Sequence, residues 1–111
     1  MKQNYMITVI YNRSTHKLTA DGHACSNEIG RDLICASVTT LVYTLSAFVK
    51  NMADAKQTID HHISVERGTA EISCVPHNDT DIAVTLVFDA ICAGFDILAQ
   101  KYPDYISYDI V

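Results

Sequence analysis

The sequence predicts an α+β fold: two layers, an antiparallel or mixed sheet with two helices on one face, in the order ββαββαβ. Three observations carry that expectation. Five short stretches alternate apolar and polar residues with the period of a strand. Two longer stretches repeat apolar residues every three or four positions, as a half-buried helix does. Strands also come as a hairpin before each helix, which places the helices together on one layer. A chain of 111 residues suffices for one core, so a single domain over residues 1–111 is expected.

Residues 4–11 are rich in β-branched and aromatic types, with Tyr5, Ile7, Val9 and Tyr11 on one face. Asn12-Arg13-Ser14-Thr15 supplies a turn, and a second strand from about His16 to Gly22 places Leu18 and Ala20 inward. Ala24 to Arg31 lacks periodicity and reads as a loop ending at Gly30. Asp32 then suits a helix N-cap, since its carboxylate can accept a free amide of the first turn. Ile34, Val38, Leu41, Leu45, Phe48 and Met52 mark a buried stripe running to about Asn51. Residues 58–66 alternate, with Ile59, His61, Ile63 and Val65 on one side. Arg67-Gly68 turns into Thr69–Val75, and Pro76 stops that strand. Asn78-Asp79-Thr80-Asp81 opens a second helix to about Lys101, expected to bury Leu86, Val87, Ala90, Ile97 and Leu98. Gly94 within it suggests close approach of another backbone. Tyr102-Pro103 ends the helix, and Tyr105–Val111 reads as a last strand.

Hydrophobic residues make up 49% and charged residues 19%, the balance of a folded domain and not of a disordered one. A net charge of −5, with Lys and Arg totalling 8 and nowhere clustered, argues against direct nucleic-acid binding. No uninterrupted apolar run reaches the roughly 18–20 residues that cross a bilayer, so no membrane partner is expected. Met1-Lys2-Gln3-Asn4 lacks the features of an export signal, and a cytoplasmic location is expected. Cys25, Cys35, Cys74 and Cys92 are then expected as reduced thiols, with Cys74 and Cys92 as small core residues.

The chemistry centres on two residues. His23 closes a strand-like run, and Cys35 opens a helix-like run twelve positions later. An imidazole can take the thiol proton, and a helix N-terminus favours the thiolate that results. With Asp32 as cap, Cys35 would lie in the first turn, whose amides could serve as oxyanion donors. A strand-end histidine bonded to backbone and a buried helical thiol are the plain alternatives. Asp32 fits capping, or orientation of His23, better than activation of the sulfur, because its charge opposes a thiolate.

The segment Gly22-His23-Ala24-x6-Arg31-Asp32-Leu33-Ile34-Cys35-Ala36 resembles the signature of the ribosomal-processing cysteine protease family. That resemblance implies a homodimeric thiol peptidase that removes an N-terminal extension from large-ribosomal-subunit protein twenty-seven, cutting after an aromatic residue. It implies His23 and Cys35 as the dyad, Asp32 at the family's acidic position, Gly22 and Ala36 as supporting neighbours, and neither metal nor cofactor. Ala24, Cys25, Ser26, Asn27, Glu28, Ile29, Gly30 and Arg31 would border the substrate groove. Two departures stand out. Thr39 occupies a place where the family usually has serine, which keeps a hydroxyl, and Cys25 lies where small non-thiol residues are usual. Cys25 could also pair with Cys35 under oxidation.

Three other readings remain open. A member of the family could process phage capsid or scaffold proteins. Cys74-x-x-His77 with His23-x-Cys25 could ligate zinc. A non-catalytic dimeric adaptor could use the same fold, with His61-His62 on its surface.

Overall fold

The computed structural model describes residues 6–22 and 29–111, with the backbone alone for 29–32. Tyr5, His23, Ala24, Cys25, Ser26, Asn27 and Glu28, all singled out from the sequence, lie outside the described residues. The elements follow the expected order: β1 (Ile7–Asn12), β2 (Lys17–Asp21), α1 (Ile29–Asp54), β3 (Thr58–Glu66), β4 (Thr69–Pro76), α2 (Asp81–Lys101) and β5 (Ile106–Ile110). Five strands form one sheet in the order β3-β4-β2-β1-β5. Neighbours are antiparallel except β5, which runs parallel to β1, so the sheet is mixed. Each helix therefore connects two parallel strands, α1 from β2 over β4 to β3 and α2 from β4 over β2 and β1 to β5. Both cover the same face.

Strand alternation selects that face. Val9, Ala20 and Ala70 are in register across three strands, as are Tyr11, Leu18 and Ile72, and all six are buried. From above, α1 contributes Ile34, Val38, Val42, Leu45 and Val49, and α2 contributes Val84, Phe88, Cys92 and Phe95. Phe88 stacks on Tyr11 at 5.6 Å between ring centroids. His16, held in the hairpin turn at a φ of 49°, is buried against the edge of Phe88, and its Nε2 shares a 2.7 Å hydrogen bond with Thr85 Oγ1. The turn is thereby tied to the first turns of α2.

Several expectations are corrected. On α2, Leu86, Ala90 and Ile97 face outward, and Val87 and Leu98 are half-buried. That helix is apolar nearly all round, so periodicity alone could not choose its inner face. On α1, Leu41, Phe48 and Met52 are half-buried and flank the stripe instead of forming it. Ile59 is exposed because a bulge between Thr58 and Asp60 adds a residue to β3 and breaks the alternation there. His61, opposite Cys74, is exposed on this edge strand. Gly94 does meet a close neighbour, but a side chain and not a backbone: a Cβ there would lie 3.1 Å from both Leu41 methyl carbons. Finally, both helices have the length and apolar composition of a membrane span, which a search for unbroken apolar runs overlooks. Here one side of each packs on the sheet.

Candidate active site

One end of the sheet gathers four pieces of chain. Asp21 at the end of β2 is in register with Thr69 at the start of β4, and Thr69 Oγ1 donates to its carboxylate at 2.6 Å. The next residue, Gly22, donates its amide to the Gly68 carbonyl in the β3–β4 turn at 2.9 Å. Gly22 has a φ of 118°, and a Cβ there would fall 2.3 Å from the Met6 carbonyl oxygen. No side chain fits. The backbone feeding His23 is thus fixed on three sides, by β1, by the β3–β4 turn and by its own conformation.

α1 begins at Ile29, four residues before Leu33, the first helical residue if Asp32 were the cap, which corrects two assignments. Ile29, Gly30 and Arg31 are helical and do not belong to a loop. Gly30 marks no boundary, because a helix tolerates a glycine at a cost of about 1 kcal/mol. Asp32 is the fourth helical residue and so does not occupy the N-cap position. Cys35 is the seventh, in the second turn, where its amide belongs to the helical ladder and not to the free donors of the first turn. Positions 32 and 35, three apart, still fall on one side of the helix.

Cys35 is half-buried and lines a cleft of about 350 Å³ between α1 and the β3–β4 hairpin. The floor is apolar, with Val38, Val42, Val65 and Ala70, while Tyr43 stands over one wall and Glu66 and Arg67 form the polar rim. Gly22 lines the same cleft, so the chain enters position 23 from its margin. Thr39 also lines it, with its hydroxyl donated to the Cys35 carbonyl at 2.8 Å. Ala36 is exposed beside them. The cleft walls on β3, β4 and at Tyr43 were not singled out in the sequence. Their only signal was apolar alternation at 63 and 65, which reads equally well as core.

The other described cysteines are built differently. Cys74 and Cys92 are both buried, and burial pushes the Cys74 thiol up and the Cys92 thiol up to about 11. Both are held protonated at neutral pH, the opposite of what a nucleophile requires. Among the described residues no group of three or more histidine, cysteine or acidic side chains comes together as a metal site. Cys74 faces the core, whereas His77 is exposed beyond Pro76.

A half-buried thiol on a helix, opening onto an apolar cleft, is an arrangement suited to a thiol hydrolase. The comparisons agree. The profile of the family described as cysteine protease Prp matches residues 6–107. The chain belongs to the cysteine protease Prp family, and it is a cysteine-type peptidase. Among solved structures, SMU.848 from Streptococcus mutans is similar with a TM-score of 0.69 and 26% identity, covering 100% of this chain and 98% of that one. The essential ribosomal processing protease Prp from S. aureus, in complex with a substrate peptide, gives a TM-score of 0.68 at 14% identity, covering 96% and 98%. The same S. aureus protein with a covalently linked product peptide gives 0.68 at 17% identity, with the same coverage. No curated protein matches the sequence.

Proposed function

We propose that this peptidase is a ribosomal-processing enzyme that removes the N-terminal extension of large-ribosomal-subunit protein twenty-seven, acting as a cytoplasmic homodimer with Cys35 as nucleophile and His23 as base. The observation that carries the reading is Cys35 opening onto an apolar cleft whose margin, at Gly22, directly precedes His23. The S. aureus relative, similar in fold, is a ribosomal processing protease seen with peptide.

The chemistry follows from these positions. His23 takes the proton from Cys35 Sγ, and the sulfur attacks the carbonyl carbon of the scissile peptide bond. As the tetrahedral intermediate collapses, the C–N bond breaks and the imidazolium returns the proton to the departing amine. Water, activated by the same imidazole, then hydrolyses the thioester and restores the thiol. Because Cys35 sits in the second turn, and a helix dipole acts mainly within the first, thiolate formation depends chiefly on the imidazole. Asp32, on the same side of α1, is assigned to orienting His23. The apolar floor takes the bulky side chain preceding the cut, and Tyr43 with the Glu66–Arg67 rim contacts the neighbouring backbone.

The test is incubation of the purified protein with the precursor of that ribosomal protein, with Cys35→Ala and His23→Ala in parallel, read by mass spectrometry. Trimming by the native chain is expected, slowed by about a thousandfold or more in each variant. Trimming that survives Cys35→Ala would remove Cys35 as nucleophile. A folded native protein that leaves an extended precursor intact would exclude this substrate.

A further inference from the structure

β3 is an end strand of the sheet, so one side of its backbone has no strand beside it. Two hydrogen bonds fix which residues turn that way. Cys74 donates its amide to the His16 carbonyl at 3.1 Å, toward β2 and away from β3. Bonding alternates along an antiparallel strand, so Ser73, Glu71 and Thr69 bond across to His62, Ser64 and Glu66, their partners in register. The backbone groups of His61, Ile63 and Val65 therefore point to the free edge. His61 agrees, because its amide is bonded to the Asp60 carboxylate at 2.9 Å and not to β4.

The edge is protected at one end only. Far from the cleft, the bulge between Thr58 and Asp60 and the Asp60 carboxylate on the His61 amide obstruct a further strand. From Ile63 to Val65 there is neither proline, charged residue nor bulge. Among the described residues nothing bonds the outward amides and carbonyls of these two. This open end is the one at the active site. The Val65 side chain lies on the cleft floor with Cys35, while its backbone faces the edge, and Glu66 and Arg67 continue the rim. An extended chain leaving the cleft meets Val65 first and Ile63 next, at the two-residue repeat of an antiparallel ladder.

The direction of β3 sets the polarity. β3 runs toward the cleft, so a chain antiparallel to it runs away from the cleft. The part laid on the edge is then the part that follows the cut. We propose that the substrate is held by strand addition: residues after the scissile bond extend the sheet antiparallel to β3, bonded to the main chain of Val65 and Ile63. The inference rests on the peptidase reading above, with Cys35 as nucleophile, and adds how the peptide is gripped. Main-chain bonds supply affinity without reading side chains, which leaves selection to the apolar floor. Peptide residues bonded to Val65 and Ile63 turn their side chains toward α1, where exposed Tyr43 stands.

The test uses a synthetic peptide spanning the cleavage junction of the ribosomal-protein precursor, methylated at one backbone nitrogen at a time. After the cut, methylation at two positions two residues apart is expected to raise KM about tenfold each, with kcat within about twofold. Methylation of the residue between them should change neither. On the enzyme, Ile63→Pro deletes an outward amide and spares the β4 ladder, whereas Ile63→Ala trims the side chain and keeps the amide. Ile63→Pro should raise KM about tenfold over Ile63→Ala, with circular dichroism checking both folds. If Ile63→Pro does not fold, the methyl scan alone decides. An unmodified peptide left uncut would overturn the substrate reading and this inference with it. A peptide that is cut, with a flat scan after the junction, would leave the peptidase reading standing and overturn strand addition. Alternation confined to residues before the cut would overturn the antiparallel direction. Alternation after the cut with Ile63→Pro equal to Ile63→Ala would put the added strand elsewhere, again overturning the proposal.

Discussion

Gly22 shows how much a single position can control beside the cleft, directly before the proposed base His23. Its φ of 118° is open to glycine and strained for other residues, and a Cβ would collide with the Met6 carbonyl oxygen at 2.3 Å. Because that contact is with backbone, no rotamer relieves it. Gly22→Ala is therefore expected to cost about 1–3 kcal/mol, measured by urea unfolding. It should also depress peptide hydrolysis beyond that loss, at temperatures where the variant is fully folded, because the amide donated to Gly68 and the approach to His23 must shift together. An alanine variant with native stability and native turnover would contradict this account. Thr39 illustrates the opposite case. Its hydroxyl is committed to the Cys35 carbonyl, so Thr39→Ser should keep that bond and change only the methyl presented to the cleft.

Between the helices, Gly94 and Leu41 set the distance of approach. A Cβ at 94 would lie 3.1 Å from the two terminal carbons of Leu41, a flexible end that can yield by a few tenths of an ångström. Gly94→Ala gains about 1 kcal/mol of helix propensity and loses a similar amount in crowding, so thermal unfolding should change little. Gly94→Leu has no such room and should cost about 1–3 kcal/mol by overpacking. Phe88→Ala, which empties the stack on Tyr11, should cost about 3–5 kcal/mol. The element order was legible in the chain because alternation and helical spacing are local properties. The face of α2 was not. Leu86 and Ile97 are as apolar as Val84 and Phe88, and only the sheet beneath decides which set is buried. The site divides in the same way. Cys35 stood out because its chemistry is rare and its helix is local, whereas Tyr43, Val65 and Ala70 become walls of a cleft only once α1 crosses the hairpin. The four-residue error at the start of α1 arose from reading Gly30 as a stop.

At the scale of the whole molecule, the buried titratable groups make alkali the vulnerable direction. Cys74 and Cys92 have thiols raised by burial, the latter to about 11, and the Tyr11 and Tyr108 phenols are also pushed up, chiefly by burial. Tyr11 Oη is buried with no hydrogen-bond partner among the described residues, so an anion there would stand uncompensated. The sign is fixed by linkage: an acid whose folded pKa is raised contributes stability in full below its unfolded value, and loses it as pH climbs toward the folded one. For Cys92 that window opens near the ordinary thiol value of 9.0 and closes near 11, a loss on the order of 2 kcal/mol. The tyrosines extend the decline beyond pH 10. On the acid side, Glu71 is held below the usual carboxylate range by its hydrogen bond to Lys17. That stability is present above the unfolded carboxylate pKa and is lost as pH falls through the folded value, but the pair is solvent-exposed and contributes little. Urea unfolding at pH 7, 9 and 10.5 should therefore show stability level to about pH 9 and falling steeply above it. Cys92→Ala should be less stable at pH 7 but lose less between pH 9 and 10.5 than the native chain. Equal losses in the two proteins would mean that the Cys92 thiol does not drive the decline.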